Sequence, residues 1–227
     1  MRTRHISLLF LLVLLACSAC TTAPYTHRSQ FIVLSETQEN ALGQQAYREV
    51  LSKAKLVHDP HTVDLVTQVG QRIARAADKP DYQWEFSVID DPKVANAFAL
   101  PGGKIAVYSG LFPLAHDTAG LAAVLAHEVG HAIAHHAAER MSQNLLFQIV
   151  GTGLSVAVGA QNPATRNAIM QAFGLGAQVG VLLPFSRTQE AEADHIGLIL
   201  MAKAGYDPHA ALALWQRFEQ EEKRSPP

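Results

Sequence analysis

The sequence predicts an α+β domain, mostly helical, with one small antiparallel sheet. Three observations carry that expectation. Apolar residues recur at helical spacing through several stretches, the region 84–108 switches to alternation at every second residue, and a Pro-Gly-Gly turn sits inside that region. A chain of 227 residues, 48% of them apolar, suffices for one buried core and makes a single domain the default.

The first twenty residues, MRTRHISLLFLLVLLACSAC, stand apart from that domain. A basic start, an apolar run from Ile6 to Ala16, then small residues and cysteine read as a secretory signal. A helix over that run would be about 17 Å long against a hydrocarbon core of about 30 Å, which favours export over a spanning anchor. Cys17 and Cys20 are the only cysteines, so the mature body has neither a disulfide framework nor a thiolate metal ligand. Leu14-Leu15-Ala16-Cys17 resembles a bacterial lipobox, cut before Cys17, which would then carry lipid; Cys20, after Ser18-Ala19, is the alternative. Neither cysteine is followed by aspartate, which by the same resemblance places the anchor in the outer membrane. Without residues 1–16, sixteen basic residues face twenty acidic ones, a net charge of −4 with no basic patch to hold nucleic acid. The expected organisation is a signal peptide and lipobox over 1–20, a polar tether over 21–32 and a single domain over 33–227.

Within the domain, 35–53 reads as a helix opened by a Ser35/Gln38 capping box. A second amphipathic helix over 62–77 places Val63, Val66, Val69 and Ile73 on one side. Trp84, Phe86 and Val88 alternate with polar residues, 95–100 follows, and Pro101-Gly102-Gly103 turns the chain into 104–108, which together suggest three antiparallel strands. From 118 to 142 there is no proline, and one long helix is expected, capped by Asp117 or Thr118. The apolar, acid-free segment 145–185 suggests two core helices. Helices over 189–204 and 209–222 complete the chain, separated by Gly205-Tyr206-Asp207-Pro208.

The chemistry concentrates in AHEVGHAIAHH at 126–136. Residues four apart on a helix lie about 40° and 6 Å from each other, so His127 and His131 can present two imidazoles to one point, the geometry that suits one zinc ion. Glu128, about 100° round, can reach a water there without binding the metal itself. An extended His-Glu-x-x-His-x-x-Gly-x-x-His site is excluded, because 134 and 137 are both alanine. Between Met141 and Gln189 there is no Asp, Glu, His or Cys, and Glu139 is about 12 Å along the helix from His131, so the next downstream candidates for a third ligand are Glu190, Glu192 and Asp194. Glu190 and Asp194 share one helix face, which assigns Glu190 to zinc and Asp194 to a ligand histidine's other nitrogen, leaving Glu192 as an outward-facing charge. His135 and His136 lie about 80° and 180° round from His127 and are expected to pack or hydrogen-bond rather than to ligate.

HEVGH at 127–131, SRTQEAEAD at 186–194 and NAFALPGGKIAVYSGL at 96–111 together resemble the zinc metallopeptidase family that includes HtpX, the CAAX prenyl proteases and the periplasmic peptidases BepA and LoiP. The resemblance spans most of 33–217, and the lipoprotein signal brings it nearest the LoiP-like periplasmic branch. It implies a gluzincin-like core with the sheet beside the active-site helix, one zinc ion held by His127, His131 and Glu190, Glu128 as general base and Asp194 behind the ligands. It further implies that Asn96, Ala97, Phe98 and Ala99 line the cleft rim, where an extended substrate adds as a strand. The implied activity is hydrolysis of misfolded or misassembled envelope proteins at the periplasmic face of the outer membrane. Arg187, His195 and His209 are candidates to stabilise the oxyanion. A non-enzymatic, chaperone-like or assembly-scaffold lipoprotein is the alternative; a fourth protein ligand, which only His135 or His136 could supply, would favour it, because structural zinc is closed to water.

Overall fold

The structure is a computed structural model that describes residues 20–152 and 184–224. In chain order the elements are β1 (Cys20–Thr22), β2 (Ser29–Phe31), α1 (Glu36–Lys53), α2 (Pro60–Ala77), β3 (Glu85–Ile89), β4 (Ala97–Leu100) and β5 (Lys104–Tyr108). A short 3-10 turn (Ser109–Leu111) and α3 (Phe112–Ala115) lead into α4 (Thr118–Ile133), followed by α5 (His136–Thr152), α6 (Pro184–Lys203) and α7 (His209–Arg224). The mostly helical α+β class holds. The two apolar helices expected over 145–185 fall largely outside the described residues, as does the signal segment.

The capping signals act where the sequence places them. Ser35 and Gln38 form the reciprocal capping box of α1, Asp59 accepts from the Thr62 amide ahead of α2, and Asp117 accepts from the Gly120 amide ahead of α4. After α6, Gly205 takes the left-handed conformation that ends the helix.

Three expectations give way. The main sheet is mixed, in the order β3-β5-β4: β4 and β5 are antiparallel, but β3 runs parallel to β5. The tight Pro101-Gly102-Gly103 link fixes one hairpin, whereas the seven-residue passage from β3 to β4 lets β5 insert between them. The segment 21–32, expected to be a tether, pairs β1 with β2 and packs, with Ala23 and Gln30 buried. The long helix expected over 118–142 breaks after Ile133: Ala134 caps α4, and His135 adopts a left-handed backbone (φ 53°) while its Nδ1 meets Glu39 Oε2 at 2.7 Å. That hydrogen bond to α1 holds a residue type that tolerates φ > 0 in a position that no continuing helix allows.

Strand alternation divides the core in two. Phe86, Val88, Ala97, Ile105 and Val107 face α2 and α4, while Phe98, Leu100 and Ala106 face α1 and α5. At the centre lies α4, buried on nearly all sides and packed most extensively on α6. Two glycines allow that approach. A Cβ on Gly130 would lie 2.9 Å from the Ala193 carbonyl oxygen, and one on Gly197 would lie 3.1 Å from the His127 amide nitrogen. The close crossing sets the HEVGH turn of α4 directly against Glu190 and Asp194 of α6.

Candidate metal centre

His127 and His131, one turn apart on α4, turn their Nε2 atoms towards each other at 3.1 Å. Glu190 Oε2 on α6 lies 3.2 Å from the first and 3.4 Å from the second. Around a tetrahedral zinc with bonds of about 2.0–2.1 Å, two ligand atoms stand about 3.3–3.4 Å apart, so this triangle has the edges of one face of a zinc site. Among the described residues these three form the group that could hold a metal ion.

The surroundings ask for positive charge at that point. Burial pulls the His127 imidazole down, but hydrogen bonds to Asp194 and Glu190 outweigh it and lift its pKa to about 10. Burial pulls His131 below its ordinary value. Burial also opposes ionisation of Glu190, yet the two imidazoles hold it well below the usual carboxylate range. A proton on His127 supplies the charge that a divalent cation would otherwise bring, and two nitrogens and a carboxylate oxygen are the donor set of a catalytic zinc.

Asp194 Oδ1 accepts from His127 Nδ1 at 2.8 Å, which holds one proton on Nδ1, so a metal that took the place of the second proton would meet the Nε2 lone pair in the triangle. Glu128 lies beside it, with burial pushing its carboxyl up to about 7 and the Ala99 amide directed at it. Tyr108 donates to the Asn96 carbonyl at 2.9 Å, and that pairing fixes the register: Phe98 and Leu100 bond inward to β5, while Ala97 and Ala99 turn their backbone groups to the outer edge of β4. β4 is the last strand of its sheet among the described residues.

Several residues stand elsewhere than the sequence suggests. Glu192 is not an outward charge; it is 5% exposed, because α6 is covered on that side by α5 and the β1–β2 hairpin. His136 is fully buried and meets His131 at Nδ1, on the far side of the ring from Nε2, while His135 is held by Glu39; neither offers a fourth ligand. Of the oxyanion candidates, His209 bonds Asp207 at the start of α7 and His195 and Arg187 are exposed. Arg140, which the sequence reading passed over, is near enough for its charge to act on both Glu190 and Glu128. Nothing local marks Arg140, Glu192 or His136; each depends on the break at His135. Beside His127, an apolar recess of about 170 Å³ is lined by Asp194, Leu198, Met201, Leu212 and Trp215, whose indole stands edge-on to the imidazole at 5.5 Å.

Residues 60–226 match the model of Peptidase family M48. The chain is 39% identical over 202 residues to the mitochondrial metalloendopeptidase OMA1 of Schizosaccharomyces pombe, covering 88% of this chain and 57% of that protein. It is 31% identical over 215 residues to the protein of that name in Saccharomyces cerevisiae, covering 89% and 60%. It is also 31% identical over 180 residues to the beta-barrel assembly-enhancing protease of Yersinia pestis, covering 78% and 37%. The chain thus spans about three fifths or less of the length of these relatives.

Proposed function

The chain belongs to peptidase family M48, and from that membership we propose that it is a zinc-dependent endopeptidase in which His127, His131 and Glu190 hold one zinc ion, Glu128 is the general base and Asp194 orients His127. The observation that carries the reading is the triangle of two Nε2 atoms and one carboxylate oxygen at 3.1, 3.2 and 3.4 Å, with the half-buried Glu128 carboxyl beside it.

Zinc bound there supplies Lewis acidity towards a scissile carbonyl and an acidified water. Glu128, held near neutrality, accepts a proton from the attacking water and returns it to the leaving amine. The edge of β4 offers the Ala97 and Ala99 backbone groups to an extended chain, while Asn96 and Phe98 fix the strand from within. The apolar recess beside His127 suits a hydrophobic substrate side chain. Unfolded proteins supply both features, since they expose extended backbone and apolar residues together.

Residues 1–20 act as an export and lipidation signal, with Cys17 as the lipidated residue and Cys20 as the alternative; the remainder is a single domain tethered to the periplasmic face of the outer membrane. The leader supports this reading, as does likeness to a beta-barrel assembly-enhancing protease, whereas the OMA1 relatives are mitochondrial. Among the described residues no helix is long and apolar enough to cross a membrane. On this reading the substrates are misfolded or misassembled envelope proteins. Glu128→Gln should leave zinc stoichiometry at one per chain and lower casein cleavage by about 10²–10⁴-fold. Proteolysis at the wild-type rate in that variant would overturn the mechanism.

A further inference from the structure

Two histidines meet at the metal triangle, and each needs its proton on Nδ1 if its Nε2 is to offer a lone pair. For His127, Asp194 settles this directly. For His131 no carboxylate lies at Nδ1. Its partner is another imidazole, His136 Nδ1, at 2.8 Å with the rings nearly perpendicular. A bond between two Nδ1 atoms leaves open which of them carries the proton.

The next shell decides it. Glu192 Oε2 lies 2.9 Å from His136 Nε2 and also accepts from Arg28 Nε at 2.7 Å, while Thr26 donates to its other oxygen. Both Glu192 oxygens already act as acceptors, one for Thr26 and the other for Arg28, which has no acceptor of its own. His136 Nε2 must therefore be the donor. In the neutral ring that leaves Nδ1 as the acceptor, so the proton between the two rings belongs to His131, and His131 Nε2 is left free for the metal. Arg28 is itself fixed by a bidentate pair with Glu139 at 2.8 Å on each oxygen.

We propose that Arg28, Glu192 and His136 form a positioning relay that sets the tautomer and ring orientation of His131, as Asp194 does for His127. The inference rests on the reading of His131 as a metal ligand. It also gives the β1–β2 hairpin a role: Thr26 and Arg28 lie in its turn, so the segment that follows the cysteines forms the outer end of the relay. The break at His135 is what makes the relay possible, because on an unbroken helix residues five apart diverge by about 140° and the rings of 131 and 136 could not meet.

The test uses the full chain in detergent, labelled with ¹⁵N in its histidine rings and stripped of metal by a chelator. The ¹⁵N ring shifts should place the His131 proton on Nδ1 and the His136 proton on Nε2; the opposite assignment would overturn the relay without any substitution. Zinc affinity, measured by chelator competition, separates the remaining outcomes. Loss of an orienting partner commonly costs 10–100-fold in metal affinity, so His136→Leu should weaken zinc by about that factor and His136→Asn, whose amide oxygen can accept at the Nδ1 position, should restore much of it. His131→Ala is the control for the underlying reading: wild-type affinity there would remove His131 from the site. Loss of zinc in His131→Ala with wild-type affinity in His136→Leu would overturn the relay alone.

Discussion

Glu139 shows how much of this site is held from behind. It is 3% exposed, receives both terminal nitrogens of Arg28, and accepts further bonds from Gln189 and Gln30. Burial pushes its carboxyl up, but these donors prevail and hold it below its ordinary value of 4.5. A carboxyl depressed in the folded state adds stability that is complete above the unfolded value and disappears as pH falls through the folded one. Glu139→Gln should therefore lower unfolding free energy by about 1–3 kcal/mol near pH 7. The gap to wild type should close as pH drops below about 4.5 in urea titrations; a gap that stayed constant down to pH 3 would contradict the ion-pair account. The sequence set Glu139 apart from the metal by its distance along one unbroken helix; the break at His135 instead places it on α5, where Arg28, Gln30 and Gln189 engage it. Its burial was not legible, because Arg28 lies 111 positions away in sequence.

Among the elements, α4 and α6 carry the candidate metal site, and their separation is set by glycine. Gly130→Ala would gain up to about 1 kcal/mol in intrinsic helix propensity. It would also drive a methyl into the Ala193 carbonyl oxygen, a backbone atom that cannot rotate aside, and overpacking of that kind costs about 1–3 kcal/mol. Net destabilisation in a denaturant melt is expected, with weaker zinc binding because Glu190 rides on the displaced helix; a raised melting temperature would show that the crossing has slack. The capping box and the helix starts were readable because a cap involves residues three apart. The end of α4 was not, since the residues around it are good helix formers and the stop is imposed by Glu39 of α1 on His135. The parallel placement of β3 was hidden likewise, since alternation marks which face of a strand is buried and says nothing of its neighbour's direction.

At the scale of the whole molecule, the hairpin that begins at Cys20 joins the proposed anchor to the candidate metal site. With Cys20 itself in β1 and Ala23 buried, little free chain separates the candidate lipid from the domain, so the site would be held close to the membrane surface. Cys17→Ala should abolish incorporation of labelled palmitate and release the chain from membranes, while Cys20→Ala should leave both unchanged. Labelling that followed Cys20 would move the cleavage point and place the lipid at the first residue of β1.

The sequence by itself determined the local terms: the His127/His131 pair, Glu128 beside it, Glu190 and Asp194 sharing a face, the caps, and the family that these motifs identify. The family follows from the likeness of the quoted motifs, and the rest from the 3.6-residue repeat, cap spacing and elimination of residue types, which need no knowledge of what packs where. Only the tertiary structure decided what stands behind the metal triangle. There a helix break, a second helix face and an N-terminal turn bring His136, Glu192 and Arg28 into one chain of hydrogen bonds, and residues so far apart in sequence leave no periodic signal of their meeting.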